Sequence, residues 1–307
     1  MNQIKSLISV LVLGILLANC SGSNFKKTPG GMPYQLFASK DTQSVRVGNF
    51  IKVSLTQKIN DSVYFSTAGK LPLYLPVGQN SNPYDISEVW TKLHLGDSVI
   101  ATQMMDTFIK RMPPGNLPPQ FKNGDRILTY VKVLGIFTSD SLRKLDEQKE
   151  TAAFTAGEVK EVEAYLKKNN ITNTQKTASG AYVQVLEPGT GELVKENNYV
   201  SVSYTGKTLA GLAFDSNVDT TFKHTEPLNF SVGVGQMIKG FDEGMVFLRK
   251  GAKAVIYMPS TLGYGAAPPP GAPIKPYEHL LFEVTVLDVK DKAPATPQAE
   301  APQPSQH

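Results

Sequence analysis

The chain contains 307 residues, enough for about two domains of ordinary size. Hydrophobic residues make up 41% and charged residues 19%, a balance that allows a folded core and excludes a disordered polyelectrolyte. The net charge of +4 is small and the basic residues form no stripe, which argues against nucleic acid as a partner. A single cysteine and four scattered histidines offer no ligand spacing, so we expect no metal site and no cofactor. We interpret three of the histidines as ordinary strand or loop residues: His94, His224 and His279.

The N-terminus has the pattern of a secretory signal. Lys5 precedes the apolar run LISVLVLGILLA at 7–18, which is too short for a membrane span of about 20 residues. The string LANC at 17–20 resembles the bacterial lipoprotein processing box, which predicts a signal peptide over 1–19 and a lipid on Cys20. Asn19 departs from the small residue usual before the cysteine, and secretion with a spare thiol is the alternative.

The lipid would attach the chain to a membrane of the bacterial cell envelope, with the protein facing the periplasm. Whether that membrane is the inner or the outer one, which of its faces carries the lipid, and which oligomeric state the protein adopts are left open. The composition predicts a flexible tether over 20–33 and a disordered, proline-rich tail over 291–307.

Two strand-rich regions, 34–138 and 173–290, flank a helical linker at 139–172. In the linker, apolar residues recur at three- and four-residue spacing, and Asn169-Asn170 is a plausible end of the helix. Thr155 followed by Glu158 fits a capping box, which would start a second helix. The linker serves either as a simple connector or as an arm that sets the distance between domains.

The two strand-rich regions resemble each other in the order of their elements. We therefore expect one fold, used twice. The matching segments are VSLTQK at 53–58 with VSYTGK at 202–207, LPLYLPVG at 71–78 with EPLNFSVG at 226–233, EVWTKLHLGDSVI at 88–100 with EGMVFLRKGAKAV at 243–255, and RILTYVKVL at 126–134 with HLLFEVTVL at 279–287.

The second region predicts one helix among strands. Ile238, Phe241, Met245 and Leu248 form one apolar stripe, and Gly251 suits a C-terminal cap. The expected strands alternate apolar and polar residues and lie at 181–188, 199–207, 228–232, 253–259 and 279–289. A short helix across such a sheet is an α+β arrangement.

The motifs of this region occur in the order seen in FKBP-type peptidyl-prolyl isomerases. They are YVSVSYTGK at 199–207, FDSN at 214–217, PLNFSVGVGQMIKGFDEGM at 227–245, MPSTLGYG at 258–265 and HLLFEVTVLDV at 279–289. The resemblance implies a curved antiparallel half-barrel wrapped around a short helix, with the active pocket between them. With the repeat, the expected fold is two such half-barrels joined by the helical linker.

The resemblance also implies the site residues. Tyr264 would donate its hydroxyl to a substrate carbonyl, and Asp215 would be a polar group on the pocket wall; these are the two residues that we designate catalytic. The residues implied to form an apolar cup around the proline are Tyr204, Phe214, Phe230, Met237, Ile238, Phe241 and Phe282, with Leu228 beside them. Leu228, Met237 and Phe241 depart from the usual family residues and make the pocket less aromatic.

These residue types suit the chemistry of prolyl isomerisation. Resonance in the planar amide imposes a rotation barrier of about 18–20 kcal/mol, and X–Pro bonds exchange slowly although their isomers differ little in energy. A dry, apolar cup favours the twisted amide, whose carbonyl is less polar, and so needs neither a nucleophile nor a metal. The expected partners are proline-containing unfolded or extended polypeptides.

The sequence thus predicts a peptidyl-prolyl cis-trans isomerase that assists the folding of exported proteins. The alternative is a non-catalytic envelope chaperone or scaffold that binds clients through the same fold. In the first region Leu55, Ser66 and Thr129 replace Tyr204, Asp215 and Phe282, and the segment 104–121 holds no Tyr-Gly loop. We therefore expect residues 34–138 to be a degenerate FKBP-like domain without activity.

Overall fold

A computed structural model describes residues 25–79, 82–110 and 121–293. The predicted signal peptide, Cys20, the start of the tether and nearly all of the tail lie outside these residues. The chain divides into two compact units, with the boundary between Lys144 and Leu145. The finer domain boundaries given above stay predictions. Within the described ranges, no helix combines the length and the apolar character needed to cross a bilayer.

The first unit is an antiparallel sheet of seven strands in the order β1-β2-β6-β7-β3-β4, with β5 paired to β3. The alternation of apolar and polar residues places one face of β3 and β7 in the core. A 3₁₀ helix at Ile86–Lys92 contributes the buried Val89 and Trp90 to this core. The strands are β1 (Lys26–Lys27), β2 (Pro33–Phe37), β3 (Phe50–Ile59), β4 (Ser62–Ser66), β5 (Leu73–Pro76), β6 (Ser98–Met104) and β7 (Arg126–Phe137), and a short helix, α1 (Met105–Ile109), follows β6.

The second unit repeats this arrangement. Its seven-stranded sheet has the order β11-β10-β14-β13-β9-β8, with β12 paired to β10. The strands are β8 (Thr174–Lys176), β9 (Tyr182–Glu187), β10 (Tyr199–Thr208), β11 (Ala213–Ser216), β12 (Leu228–Ser231), β13 (Lys253–Met258) and β14 (Leu280–Lys290); the helices are α2 (Asp140–Lys168), which begins before the boundary, α3 (Lys239–Met245), and 3₁₀ turns at Thr220–Phe222 and Ser260–Leu262.

The first sheet read from β1 to β4 has the same strand order as the second sheet read from β8 to β11. Each strand of one sheet has the same pairing partners as its counterpart in the other, including β5 on β3 and β12 on β10. Even the irregularities coincide. The β3–β7 register shifts between Lys52 and Val53, and the β10–β14 register shifts between Ser201 and Val202, the positions that the sequence alignment equates. The predicted α+β fold, two antiparallel half-barrels of one design, is confirmed.

Helix α3 lies in the core of the second unit, where Phe241 and Met245 are buried. Gly244 lets this helix approach β13 closely, since a Cβ there would stand 2.7 Å from the Cδ1 atom of Ile256. The helix is shorter than the apolar stripe predicts. It ends at Met245, and Gly251, with φ +82°, belongs to the turn before β13, so its prediction as the helix cap is wrong.

Helix α2 is continuous, and the second helix predicted from Thr155 and Glu158 is wrong. These two side chains contact Thr261 instead of capping a helix. The end at Asn169-Asn170 is confirmed, since the helix stops at Lys168 and Asn170 has a positive φ. Two short strands, β8 and β11, were not among the predicted strands.

The part of α2 after the boundary packs on the second sheet. Its apolar residues form a second core with side chains of β9, β13 and β14, and a half-exposed carboxylate, Glu163, binds the Tyr182 hydroxyl at the edge. The buried members of this core are Val159, Val162, Leu166, Tyr182, Val255, Tyr257 and Leu281. The linker helix is therefore part of the second unit's packing and not only a connector.

This packing predicts the effect of a side chain at Gly180, in the turn between β8 and β9. Gly180 has φ +108°, and a Cβ there would stand 2.4 Å from Cγ2 of the buried Val159 on α2. Gly211 also has a positive φ, +89°, but its Cβ would meet nothing within 4 Å. We expect Gly211→Ala to cost about 1–2 kcal/mol for the backbone conformation alone.

Gly180→Ala should cost about 1–3 kcal/mol more than Gly211→Ala, because the collision with α2 adds to the backbone cost. Chemical denaturation of the two variants measures the difference. Equal losses would show that α2 does not pack on this turn.

Candidate functional site

The structure brings the predicted site residues of the second unit together. They come from four strands, from α3 and the segment directly before it, and from one turn. Tyr204 lies on β10, Phe214 and Asp215 on β11, Leu228 and Phe230 on β12, Phe282 on β14, Met237 and Ile238 directly before α3, Phe241 on α3, and Tyr264 in the turn after Ser260–Leu262. Leu228, Met237 and Ile238 are half-buried and pack on the same core as the rings. Their roles in binding stay predictions.

The rings form one connected aromatic cluster with Phe282 at its centre. The Phe282 ring centroid lies 5.1 Å from Phe241, 5.6 Å from Phe214 and 6.3 Å from Tyr204. Phe230 joins through Phe241, at 5.8 Å. Most pairs are edge-to-face or tilted, the arrangements that aromatic quadrupoles favour. The cluster is therefore a packed wall and not a set of isolated core residues.

Tyr264 completes the cluster on its open side. Its ring lies 6.2 Å from the Phe214 ring, edge to face. Its hydroxyl makes no hydrogen bond to any residue that the structure describes, and no fully buried side-chain oxygen there lacks a partner, so this hydroxyl is at least partly accessible. Burial raises the pKa of Tyr264, and the negative charge of Asp215 raises it further. At neutral pH the group is therefore a protonated donor that is free to bind a ligand.

Asp215 is the carboxylate of the site and has two partners. The Tyr204 hydroxyl donates to Oδ2 at 2.6 Å, and Nε2 of His224 lies 2.8 Å from Oδ1. Burial raises the pKa of Tyr204, and the hydrogen bond to Asp215 adds to this effect. The carboxylate is half-exposed, so it lies at the rim of the aromatic cluster and not in its interior.

Sequence reasoning missed two residues of this network. His224 lies in a loop, as expected, but its contact with Asp215 had no local signal, because it depends on how the loop after Thr220–Phe222 returns to β11. Asn217 was visible as part of the FDSN motif. It is buried, its Oδ1 accepts from the Tyr204 amide at 2.7 Å, and its Nδ2 donates to the Val202 carbonyl at 3.0 Å. Asn217 thus holds β11 in place beside β10.

A glycine on β10 makes room for the rings. A Cβ at Gly206 would stand 2.7 Å from the Phe214 ring and 2.8 Å from the Phe282 ring. Gln57 is the equivalent residue of the first unit, since each precedes the register shift of its hairpin. Any side chain at 206 would push both rings away from the sheet.

The first unit lacks this wall. By strand pairing, Tyr64 stands at the position of Phe214; Tyr64 is 50% exposed, whereas Phe214 is 8% exposed. Thr129 stands in the place of Phe282, and its hydroxyl accepts a hydrogen bond from Nε2 of the Gln57 side chain at 3.3 Å. Leu55 is buried at the position of Tyr204, and Phe65 stands in the place of Asp215, while Ser66 corresponds to Ser216. The replacements predicted at Leu55 and Thr129 fall at the equivalent places in the structure, but the predicted matches of Phe65 with Phe214 and of Ser66 with Asp215 are wrong by one residue, because the hairpin between β3 and β4 is one residue shorter than that between β10 and β11.

The region that holds this site matches a known family. The family model described as FKBP-type peptidyl-prolyl cis-trans isomerase matches residues 191–287. The chain is 38% identical over 110 residues to the FK506-binding protein of Neisseria meningitidis serogroup B, a match that covers 36% of this chain and 96% of that protein. The chain belongs to the FKBP-type peptidyl-prolyl cis-trans isomerases.

Two further similarities concern FkpA of Escherichia coli, an FKBP-type peptidyl-prolyl cis-trans isomerase. This isomerase is 38% identical to FkpA over 127 residues, which is 41% of this chain and 44% of FkpA. The crystal structure of FkpA superposes with a TM-score of 0.37 at 31% identity, over 49% of this chain and 68% of that one. The sequence match spans less than half of FkpA.

The site of this isomerase makes a prediction about Gly206. Gly206→Ala should destabilise the second unit by about 1–3 kcal/mol, because the new methyl group overpacks two buried rings. It should also lower kcat/KM for a prolyl peptide, measured well below the unfolding temperature, because those rings form the wall of the site. Gly211→Ala is the control for activity: its positive φ costs a comparable amount of stability, about 1–2 kcal/mol, but its methyl group meets nothing within 4 Å, so kcat/KM should not change. Unchanged activity in Gly206→Ala would show that ring placement is irrelevant to the reaction.

Proposed function

We propose that the second unit binds X–Pro segments of extended polypeptides in the apolar cup and eases rotation about the bond before proline. One observation carries this proposal. The aromatic cluster offers a packed apolar wall that has a free tyrosine hydroxyl, Tyr264, on one side and a carboxylate, Asp215, at its rim. A proline ring in the cup would place its preceding amide between these two polar groups.

The cup acts through its environment. The twisted amide has lost resonance and its carbonyl is less polar than that of the planar amide, so an apolar surface stabilises the twisted state relative to the ground state. Each factor of ten in rate requires about 1.4 kcal/mol of such a difference. Several modest contributions, from the rings and from the Tyr264 donor, together supply an acceleration of useful size.

Asp215 acts as a fixed polar group and not as a proton carrier. Its two oxygens already accept from Tyr204 and face His224. The carboxylate therefore keeps the Tyr204 ring in its orientation and sets the field at the rim of the cup. Neither role requires that a proton be transferred during the reaction.

We also propose that the chain works outside the cytoplasm. The signal-like N-terminus and the LANC string at 17–20 support export and a lipid on Cys20. A lipid-anchored isomerase in the bacterial cell envelope would meet exported polypeptides as they fold, and these are the substrates that we propose. The first unit then acts without catalysis of its own.

A second candidate function, the binding of unfolded clients, is favoured by the edge strand β4. Its apolar side chains point to solvent: Val63 is 60% and Tyr64 50% exposed. The strand lies at the end of its sheet, where edge backbone groups are open to pairing. If the first unit holds clients, suppression of aggregation will survive changes that abolish isomerisation.

The proposal is tested by removing the two polar groups. Tyr264→Phe should lower kcat/KM for a prolyl peptide roughly three- to tenfold, the value of one hydrogen bond of about 0.5–1.5 kcal/mol. Asp215→Ala should lower it further, because the Tyr204 hydroxyl also loses its acceptor. A protease-free isomerisation assay on the purified full-length protein gives both values.

Matched controls are available in the same unit. Tyr199→Phe removes a half-buried hydroxyl from β10, and Asp288→Ala removes a carboxylate from the end of β14 distant from Phe282. Both should retain the activity of the unmodified protein. If Tyr264→Phe and Asp215→Ala isomerise the peptide equally well, the assignment of the site is wrong.

A further inference from the structure

The turn that carries Tyr264 is organised around one carbonyl. The Ser260 oxygen accepts from the amide of Gly263 and from the amide of Gly265, both at 2.9 Å. These two amides flank Tyr264 on either side in the sequence. The direction in which Tyr264 projects therefore depends on the position of Ser260.

Ser260 is in turn held by helix α2. Its side chain is buried, and its hydroxyl donates to Oε1 of Glu158. The other carboxylate oxygen of Glu158 accepts from the Thr261 amide at 3.0 Å and from the Thr261 hydroxyl at 2.8 Å. Glu158 is 5% exposed, so a charge that is rarely buried without partners is here surrounded by donors from one turn.

Two further contacts bind the same turn to the helix. The Ser260 amide donates to Nδ1 of His279 at 3.1 Å, and Nε2 of His279 faces a carboxylate oxygen of Glu161 at 3.0 Å. On the far side of Tyr264, the Gly265 carbonyl accepts from the Tyr277 amide at 2.7 Å. The Tyr277 ring packs edge to face against Phe154 of α2, with 5.4 Å between centroids.

We propose that Glu158 is a positioning residue of the isomerase: it holds Ser260 and Thr261 so that the Tyr264 hydroxyl projects toward the bound peptide. This inference rests on the proposed role of Tyr264. Glu158 lies outside residues 191–287, which the family model matches, so the helix adds a support to the site from outside the matched region. Thr155 and Glu158, whose spacing resembles a capping box, both bind the Thr261 hydroxyl and so hold the turn before Tyr264 instead of starting a helix.

Glu158 can position the turn because a buried carboxylate or hydroxyl without a hydrogen-bond partner costs free energy. Leu262 anchors the middle of this turn in the core, whereas Ser260 and Thr261 at its start are held by hydrogen bonds to Glu158, so the conformation of this start follows those hydrogen bonds. Removal of the Glu158 carboxylate leaves the Ser260 hydroxyl and the Thr261 amide without their acceptors. The turn then relaxes, and Tyr264 loses its fixed orientation although no group that touches the substrate has changed.

A double-mutant cycle on the full-length protein separates this role from a merely structural one. Glu158→Ala should lower kcat/KM for a prolyl peptide roughly three- to tenfold, up to the loss caused by Tyr264→Phe, since at most one hydrogen bond is lost. In the Tyr264→Phe background, Glu158→Ala should cause no further loss. Glu158→Gln, which keeps one acceptor oxygen, should restore part of the activity, and the same cycle can be measured with it if the alanine variant fails to fold.

Glu163→Ala is the matched control, because it removes a carboxylate from the same helix that binds Lys176 and Tyr182 but no residue of the turn. It should leave kcat/KM unchanged. The assignment of Glu158 is overturned if its substitution leaves kcat/KM unchanged, or lowers kcat/KM by the same factor with and without Tyr264→Phe. In either case a lower activity of Tyr264→Phe alone would leave the proposed role of Tyr264 intact. Full activity in Tyr264→Phe alone overturns both the assignment of Glu158 and the proposed role of Tyr264.

Discussion

The rings of Phe214 and Phe282 lie directly against the backbone of Gly206, and the candidate site depends on this contact. The absence of a side chain at 206 lets both rings reach the sheet, where Phe282 can touch Phe241 on the central helix and Tyr204 on the neighbouring strand. The first unit supplies the comparison within one chain. It keeps the topology, but Gln57 takes the place of Gly206, and Tyr64, an aromatic residue at the position of Phe214, is 50% exposed. The two units thus share one fold, but only the second unit has the aromatic wall of the candidate site.

Hydrogen bonds from neighbouring residues hold the two segments that carry the polar groups of the site. Tyr204 and Asn217 hold the strand that carries Asp215, and Glu158 holds the turn that carries Tyr264. The proposed isomerisation combines an apolar cup with a donor and a carboxylate at its edge. The fold provides both from segments that are anchored by buried hydrogen bonds, which explains how short loops can hold functional groups in place.

The sequence was most informative where the signal was periodic or local. Alternating strands, the apolar stripe through Phe241, and the parallel order of motifs in the two regions predicted the α+β fold and its repetition. It was least informative where contacts join distant segments. His224 reaches Asp215 through a loop, and Glu158 reaches Ser260 across 102 positions of the chain. The capping-box pattern at Thr155 and Glu158 was misleading for the same reason, because a local explanation competed with a tertiary one. Gly251 resembled a helix cap because the apolar stripe continues past the end of the helix.

Peptide binding followed by NMR tests the central claim most directly, since it needs no substitution. A proline-containing peptide is added to the full-length protein, and the resonances of the aromatic side chains are followed during the titration. The account predicts that the shifts concentrate on Tyr204, Tyr264 and Phe282 in the second unit, and that the peptide's cis and trans signals exchange faster in the presence of the protein. Shifts confined to the first unit, at Phe65 and its neighbours, together with accelerated exchange, would contradict it.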